Sequence, residues 1–241
     1  HNLVDDHRVQ MVVESTSPPP SPPRLNRTFE GFVRPDGRVG TRNYVALIST
    51  VNCSASVCRM VTARFDEERM KRWPYVDGIV AITHQTGCAL QYGSLKHQML
   101  GRTLAGYIRQ PNVGASLVIG LGCEQTTSEY LAESHKVVPI TTRDDRPLLG
   151  QGQTPVMTMQ QMGGTRKTVD KAERWVESLL DVANAARRST VDAKHLSIAM
   201  ECGGSDGYSG ITANPAVGVV ADRVVACGGK AVLSETTELY G

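Results

Sequence analysis

No stretch of this 241-residue chain supplies the roughly 18–20 consecutive apolar residues of a membrane-spanning helix. Charge of one sign is missing too. The formal net charge is only +2, which gives no electrostatic case for binding nucleic acid. The first seven residues, His1 to His7, carry none of the regions of a secretory signal. Nor is there an initiating Met, so the chain is expected to begin inside a longer protein. Cysteine is scarce: six residues are too few for a disulfide scaffold in a chain this long. Reduced thiols in a cytoplasmic protein are expected instead. No repeat at a solenoid period is present.

What is present suits one or two globular units, at 40% hydrophobic and 21% charged residues. Residues 1–30 read as a linker, because Ser15 to Pro23 is a Pro- and Ser-rich run that cannot build a packed core. Folding is expected from Phe32, with a turn at Asp36-Gly37 flanked by Arg34, Arg38 and Arg42. From there strand-like runs alternate with helical patterns. Tyr44–Ile48, Gly78–Ile82, Leu117–Gly120, Val137–Ile140, His195–Met200 and Lys230–Ser234 read as strands. Helices are expected over Ala55–Trp73, Ser94–Gln110, Thr126–Lys136 and Lys167–Arg188, and after an Asn214 cap. The second of these should bury Leu95, Met99, Leu104 and Ile108. Residues 143–166 are polar and Gly-rich, a loop or boundary. This alternation predicts an α/β fold with a mostly parallel sheet, Rossmann-like, in two α/β units over 31–150 and 151–241.

Four cysteines each sit just past one of these strands: Cys53, Cys88, Cys123 and Cys202. Ligands of an open parallel sheet bind beyond the carboxyl ends of the strands. The pattern therefore gathers thiols on one rim, together with His84 and the strand-end carboxylates Glu124, Glu201 and Glu235. A soft donor set of that kind suits iron or zinc. Cys58 and Cys227 fall inside expected helices and read as small apolar residues. Gly120-Leu121-Gly122-Cys123-Glu124 begins like a dinucleotide fingerprint but lacks its third glycine, so a tight strand-to-helix turn is the simpler reading. Gly203 to Gly210 has the composition of an anion-binding nest.

These residues also carry a resemblance. Gly31-Phe32-Val33-Arg34-Pro35-Asp36-Gly37-Arg38-Val39-Gly40-Thr41-Arg42-Asn43, then Asn52-Cys53-Ser54, resembles the opening of the catalytic region of the altronate/galactarate dehydratase family. Thr83 to Cys88, Gly120 to Glu124, Gln160 to Thr165, Glu201 to Asp206 and Ser234-Glu235-Thr236 continue the likeness in order, from Phe29 to Gly241. Members join a small SAF-type domain to a second and a larger third domain. The resemblance makes this chain a middle piece, the second domain and the start of the third.

The resemblance implies a metal-dependent hydro-lyase that turns altronate into 2-keto-3-deoxygluconate and water. Galactarate and a sulfonated hydroxy acid are alternative substrates. It implies ferrous iron, mononuclear or in an iron–sulfur cluster, which agrees with the expectation from their strand-end positions that Cys53, Cys88, Cys123 and Cys202 are metal ligands. Removal of the proton α to a carboxylate needs a base, for which His84 comes first, then Glu201, with Glu235 a further acid–base candidate. Arg38 and Arg42 are expected to grip a substrate carboxylate, and Gly203, Gly204, Ser205 and Asp206 the other end. The partners expected are this small molecule and a second copy in a homodimer. Two readings from other classes remain: a nucleotide-binding or thiol-redox α/β domain, and a non-catalytic interaction module.

Overall fold

The computed structural model describes residues 23–140, 154–201 and 206–234. The chain divides into two compact units, Thr28–Val191 and a second made of Asp192–Gly241 with the amino-terminal residues through Arg27. The division therefore falls at 191/192, not at 150/151. The polar stretch after residue 150 is followed by elements that complete the first unit.

That unit opens with strands β1 (Thr28–Val33) and β2 (Val39–Gly40), an antiparallel pair turning at Gly37, whose φ of 81° favours glycine. Strand β3 (Tyr44–Ser49) follows, then helices α1 (Asn52–Thr62) and α2 (Glu67–Met70). The single helix expected over 55–73 is thus broken. Asp66 accepts a hydrogen bond from the Arg69 amide at 2.8 Å and starts a new helical turn. Next come β4 (Gly78–Ile82), α3 (Leu95–Ile108), β5 (Val113–Gly120), α4 (Ser128–His135) and the short β6 (Pro139–Ile140). The unit continues through β7 (Thr154–Thr158), α5 (Met159–Met162), α6 (Thr165–Asn184) and β8 (Arg188–Asp192).

Five parallel strands form the central sheet in the order β4-β3-β5-β7-β6. A smaller sheet has the order β2-β1-β8. Side chains of a strand alternate between faces, and β3 is buried on both. Val45 and Leu47 join Val57, Leu117, Trp175 and Leu179 under α1 and α6. Ala46 and Ile48 join Leu100, Leu104, Val118 and Leu131 under α3 and α4. A strand covered on both sides reads as one apolar run, which is why Tyr44–Ile48 was visible as a strand.

Two expectations need correcting. The buried face of α3 is His97, Leu100, Gly101, Leu104 and Ala105, while Leu95 and Met99 are exposed. The glycine and histidine carry no apolar signal, so the stripe was set a few residues off. Strand β7 lies inside the stretch 143–166 expected as a loop: its five residues follow a glycine-rich run and include Pro155, so they carry no strand signal.

The second unit holds a short 3-10 turn (Ala193–His195), β9 (Ser197–Met200), α7 (Ala213–Ala226) and β10 (Lys230–Leu233). Strands β9 and β10 pair in parallel. The cap is Thr212, two residues before the expected Asn214, and Gly228 follows the helix end with φ 83°.

At the amino ends of the central strands, Asn43 is fully buried. Its amide nitrogen donates to the Tyr75 and Ala183 carbonyls at 2.7 and 2.9 Å, and its side-chain oxygen accepts from Arg34 at 3.0 Å. Arg34 also donates to the Pro111 and Arg42 carbonyls. One side chain thus ties the start of β3 to the end of α6. Asn43→Ala leaves those carbonyls unmet. It is expected to destabilise the fold by roughly 1–3 kcal/mol for each buried group left without a partner, read from urea unfolding midpoints.

Candidate active-site rim

In the order β4-β3-β5 the chain leaves β3 first to one side and later to the other, so the switch point lies between β3 and β5. A crevice beyond the carboxyl ends of the strands at such a point is the usual ligand site of this architecture. Three loops meet there, after β3, β4 and β5.

Glu124 holds two of them together. Its side chain is buried, 8% exposed. The carboxylate accepts from the Thr50 hydroxyl at 2.7 Å and from the Leu121 and Gly122 amides at 3.1 and 2.7 Å. These are charge-assisted bonds inside a protected pocket. Gly120 exists for this carboxylate, because a Cβ there would stand 2.2 Å from its Oε1. Gly122, at φ 121°, leaves no room either: a Cβ would lie 2.6 Å from the side-chain oxygen of Gln160. The backbone N–H of Gln160 in turn donates to the Leu121 carbonyl at 3.1 Å. The amides that a dinucleotide phosphate would use are already taken by Glu124, so the weak fingerprint is a strand-to-helix turn.

The third loop is held to the first. The Asn52 amide donates to the Thr86 carbonyl at 2.8 Å. Gly87, at φ 97°, lies where a Cβ would be 2.7 Å from the Thr50 carbonyl oxygen. His84 secures the crossing. Its Nε2 lies 3.0 Å from the Ser49 carbonyl, and the Thr86 amide donates to Nδ1 at 3.2 Å. This pattern assigns the proton to Nε2 and leaves Nδ1 as acceptor. Burial holds the imidazole below its usual value of 6.5, against the backbone contacts at Ser49 and Thr86. Neither ring nitrogen has a free lone pair here. Taking up a proton at Nδ1 costs the Thr86 bond, so the residue expected as first base serves as a tether in this arrangement.

Cys53, Cys88 and Cys123 are exposed on these three loops, and Cys53 is the second residue of α1. Its Sγ approaches the Asn52 side-chain oxygen at 3.5 Å. Arg59, further along α1, donates to the Thr83 hydroxyl at 2.9 Å. The buried thiol of Cys58 is pushed up to about 12 by burial, and Cys227 is buried as well. All five of these cysteines are free thiols. Among the described residues no three His, Cys, Asp or Glu side chains converge as a metal site. Cys202, Gly203, Gly204, Ser205 and Glu235 lie outside the described residues.

The arginines belong elsewhere. Arg38 pairs with Asp36 in the β1–β2 turn, and Arg42 with Asp77 at 3.3 Å before β3. Both stand at the amino ends of the strands, the opposite edge from the cysteines, and the structure does not bring them together with the rim residues. A basic cluster around a turn does not reveal in sequence which end of the sheet it occupies. Glu201 and Asp206 belong to the second unit. Glu201 is exposed after β9, and Asp206 accepts from the Tyr208 and Ser209 amides at 2.9 and 3.0 Å. Glu124 lies at the rim, as its place past a strand implies, but its burial and its hold on two backbone amides, like the part of Gln160, carry no signal in the sequence.

Two outcomes test this geometry. Gly120→Ala pushes a methyl into the Glu124 carboxylate, so amide exchange at Leu121 and Gly122 should accelerate and thermal stability should fall. The second concerns pH. His84 and His135 are both lowered in the fold, the latter by burial and then by Arg109, Arg102 and His97. A depressed folded value means the unfolded chain binds the proton more readily. The stability from the neutral rings is therefore present above about 6.5 and is lost as pH falls below it. His84→Gln should flatten the decline of the urea midpoint between about pH 7.5 and 5.

Residues 31–184 match the family described as D-galactarate dehydratase/Altronate hydrolase, second domain, and residues 193–241 match D-galactarate/Altronate dehydratase, C-terminal. The chain is 34% identical to an altronate dehydratase of Bacillus subtilis over 219 residues, which is 90% of this chain and 40% of that protein. It is 34% identical to the L-threo-forming galactarate dehydratase of Escherichia coli over 92% of this chain and 42% of that protein. It is also 30% identical to the beta subunit of a (2R)-sulfolactate sulfo-lyase of Chromohalobacter salexigens, over 89% of this chain and 48% of that protein. The chain thus spans less than half the length of these relatives. With both matches in sequence order and the first covering most of the central-sheet unit, the chain belongs to the D-galactarate/altronate dehydratase family.

Proposed function

We propose that this chain forms part of a hydro-lyase that removes water from a sugar acid, with the rim at the β3/β5 switch point as its part of the active site. One observation carries this reading. Asn52–Ser54, Thr83–Cys88, Gly120–Glu124 and Gln160 are far apart in sequence, yet hydrogen bonds join these segments at one edge of the sheet. Altronate is the preferred substrate, with galactarate and a sulfonated hydroxy acid as the alternatives within the same family.

Such a reaction takes the proton α to the carboxylate and expels the β-hydroxyl as water. Its hardest demand is stabilising negative charge on the developing enediolate. This chain contributes a rigid edge for that purpose. Glu124, Gly122 and His84 fix three loops, so that Asn52, Cys53, Cys88 and Cys123 face solvent from a framework that does not need to reorganise. Iron remains the proposed cofactor on the softness of the thiol donors. The described residues do not by themselves complete a ligand set, and no step is assigned to the ion. When bound, it would polarise the substrate carboxylate.

The test is a titration of the isotopically labelled chain with altronate, after anaerobic purification and assay of iron and acid-labile sulfide. Shifts are expected at the amides of Asn52, Thr86, Leu121 and Gly122, with release of a keto-deoxy acid by a protein that also carries the relatives' remaining length. Iron bound by the chain and lost in Cys53→Ser supports the cofactor. Absence of shifts at the rim with each of the three sugar-acid classes, together with no keto acid, overturns the reading.

A further inference from the structure

The amino-end edge of the central sheet carries a second cavity, and its charge is unbalanced. It measures about 220 Å³ and is lined by Arg34, Arg38, Arg109 and Lys136, with Asp36 as the one carboxylate among its lining residues. Buried Ser116 and Thr154, whose hydroxyls lie 3.5 Å apart, form part of its wall. Asp36 is committed to Arg38. Arg34 spends three of its N–H groups on neutral acceptors, the Pro111 and Arg42 carbonyls and the Asn43 side chain. Arg109 donates to the His135 carbonyl. Three cations therefore line one recess with neutral partners or none among the described residues. Arg34 is half-buried, and burial followed by the neighbouring Arg38 pushes its guanidinium down, with the nearby Asp36 charge offsetting this only in part.

We propose that this recess is a binding site for a small anion of two or more charges presenting oxygen atoms, separate from the cysteine rim. Guanidinium groups and a lysine around a concave surface are the donors that recognise such oxyanions. The volume limits the occupant, since typical pockets for drug-sized ligands run to roughly 300–1,000 Å³. A phosphate or a short dicarboxylate fits; a nucleotide does not. The site lies across the sheet from the rim, so its occupant acts on the enzyme as something other than the dehydrated substrate.

Calorimetric titration of the whole chain at low salt with inorganic phosphate, and separately with malonate, distinguishes a phosphoryl from a carboxylate source. Saturable binding near one per chain is expected for at least one of them. Lys136→Asn should weaken it about tenfold, the scale of one charge-assisted hydrogen bond. Lys136 is exposed and left-handed at φ 53°, a conformation asparagine tolerates, so this variant should fold. Arg109→Gln should act in the same direction, and Cys53→Ser should change nothing. No saturable binding of either anion, or affinity unchanged in both charge variants, overturns the proposal.

Discussion

A buried carboxylate at a strand end sets the shape of this edge of the molecule. Glu124 is removed from water and must find donors, and the three it finds belong to the turns after β3 and β5. An ionised group in such a place is tolerated only when its lone pairs are met. The demand runs both ways: the carboxylate fixes the turns, and the turn after β5 must offer a glycine at 120 to admit it. Gln160 and the Gly87 loop then lean on the same backbone. The exposed thiols are consequences of this arrangement, since each sits on a loop whose path is already decided.

The opposite end of the sheet is secured by cations instead. Arg34 and Asn43 bind carbonyls that the irregular ends of β3, β5 and α6 would otherwise leave open. The run from Gly31 to Asn43 that carried the family likeness is therefore largely a scaffold. Its asparagine is buried and its first arginine half-buried, while Arg38 and Arg42 satisfy nearby carboxylates. A sequence signature can be specific to a family and still record packing, here at the end of the domain away from its exposed cysteines.

The α/β class, the parallel strands and the placement of Cys53, Cys88 and Cys123 beyond strand ends were legible, because β3, β4 and β5 are apolar runs closed by glycine and polar residues. Helix α6 was legible from its strong apolar stripe, whose residues are buried with Trp175 at the centre. Strand β7 was not legible, since five residues with a proline carry little periodicity. Nor was the role of His84, because a histidine at a strand end looks alike whether it accepts a proton or joins two backbones. That distinction rests on the Ser49 carbonyl and the Thr86 amide, which come together only in three dimensions.

Helix α6 has a consequence for how the chain is made. Val45, Leu47, Val57 and Leu117 are synthesised well before Trp175, Val176 and Leu179, which cover them. Until about 130 further residues have followed β3, α1 alone covers this face of the young sheet, and the apolar side chains that α6 will bury are open to other emerging chains. A ribosome that pauses after β5 holds a half-covered sheet, a state suited to chaperone capture.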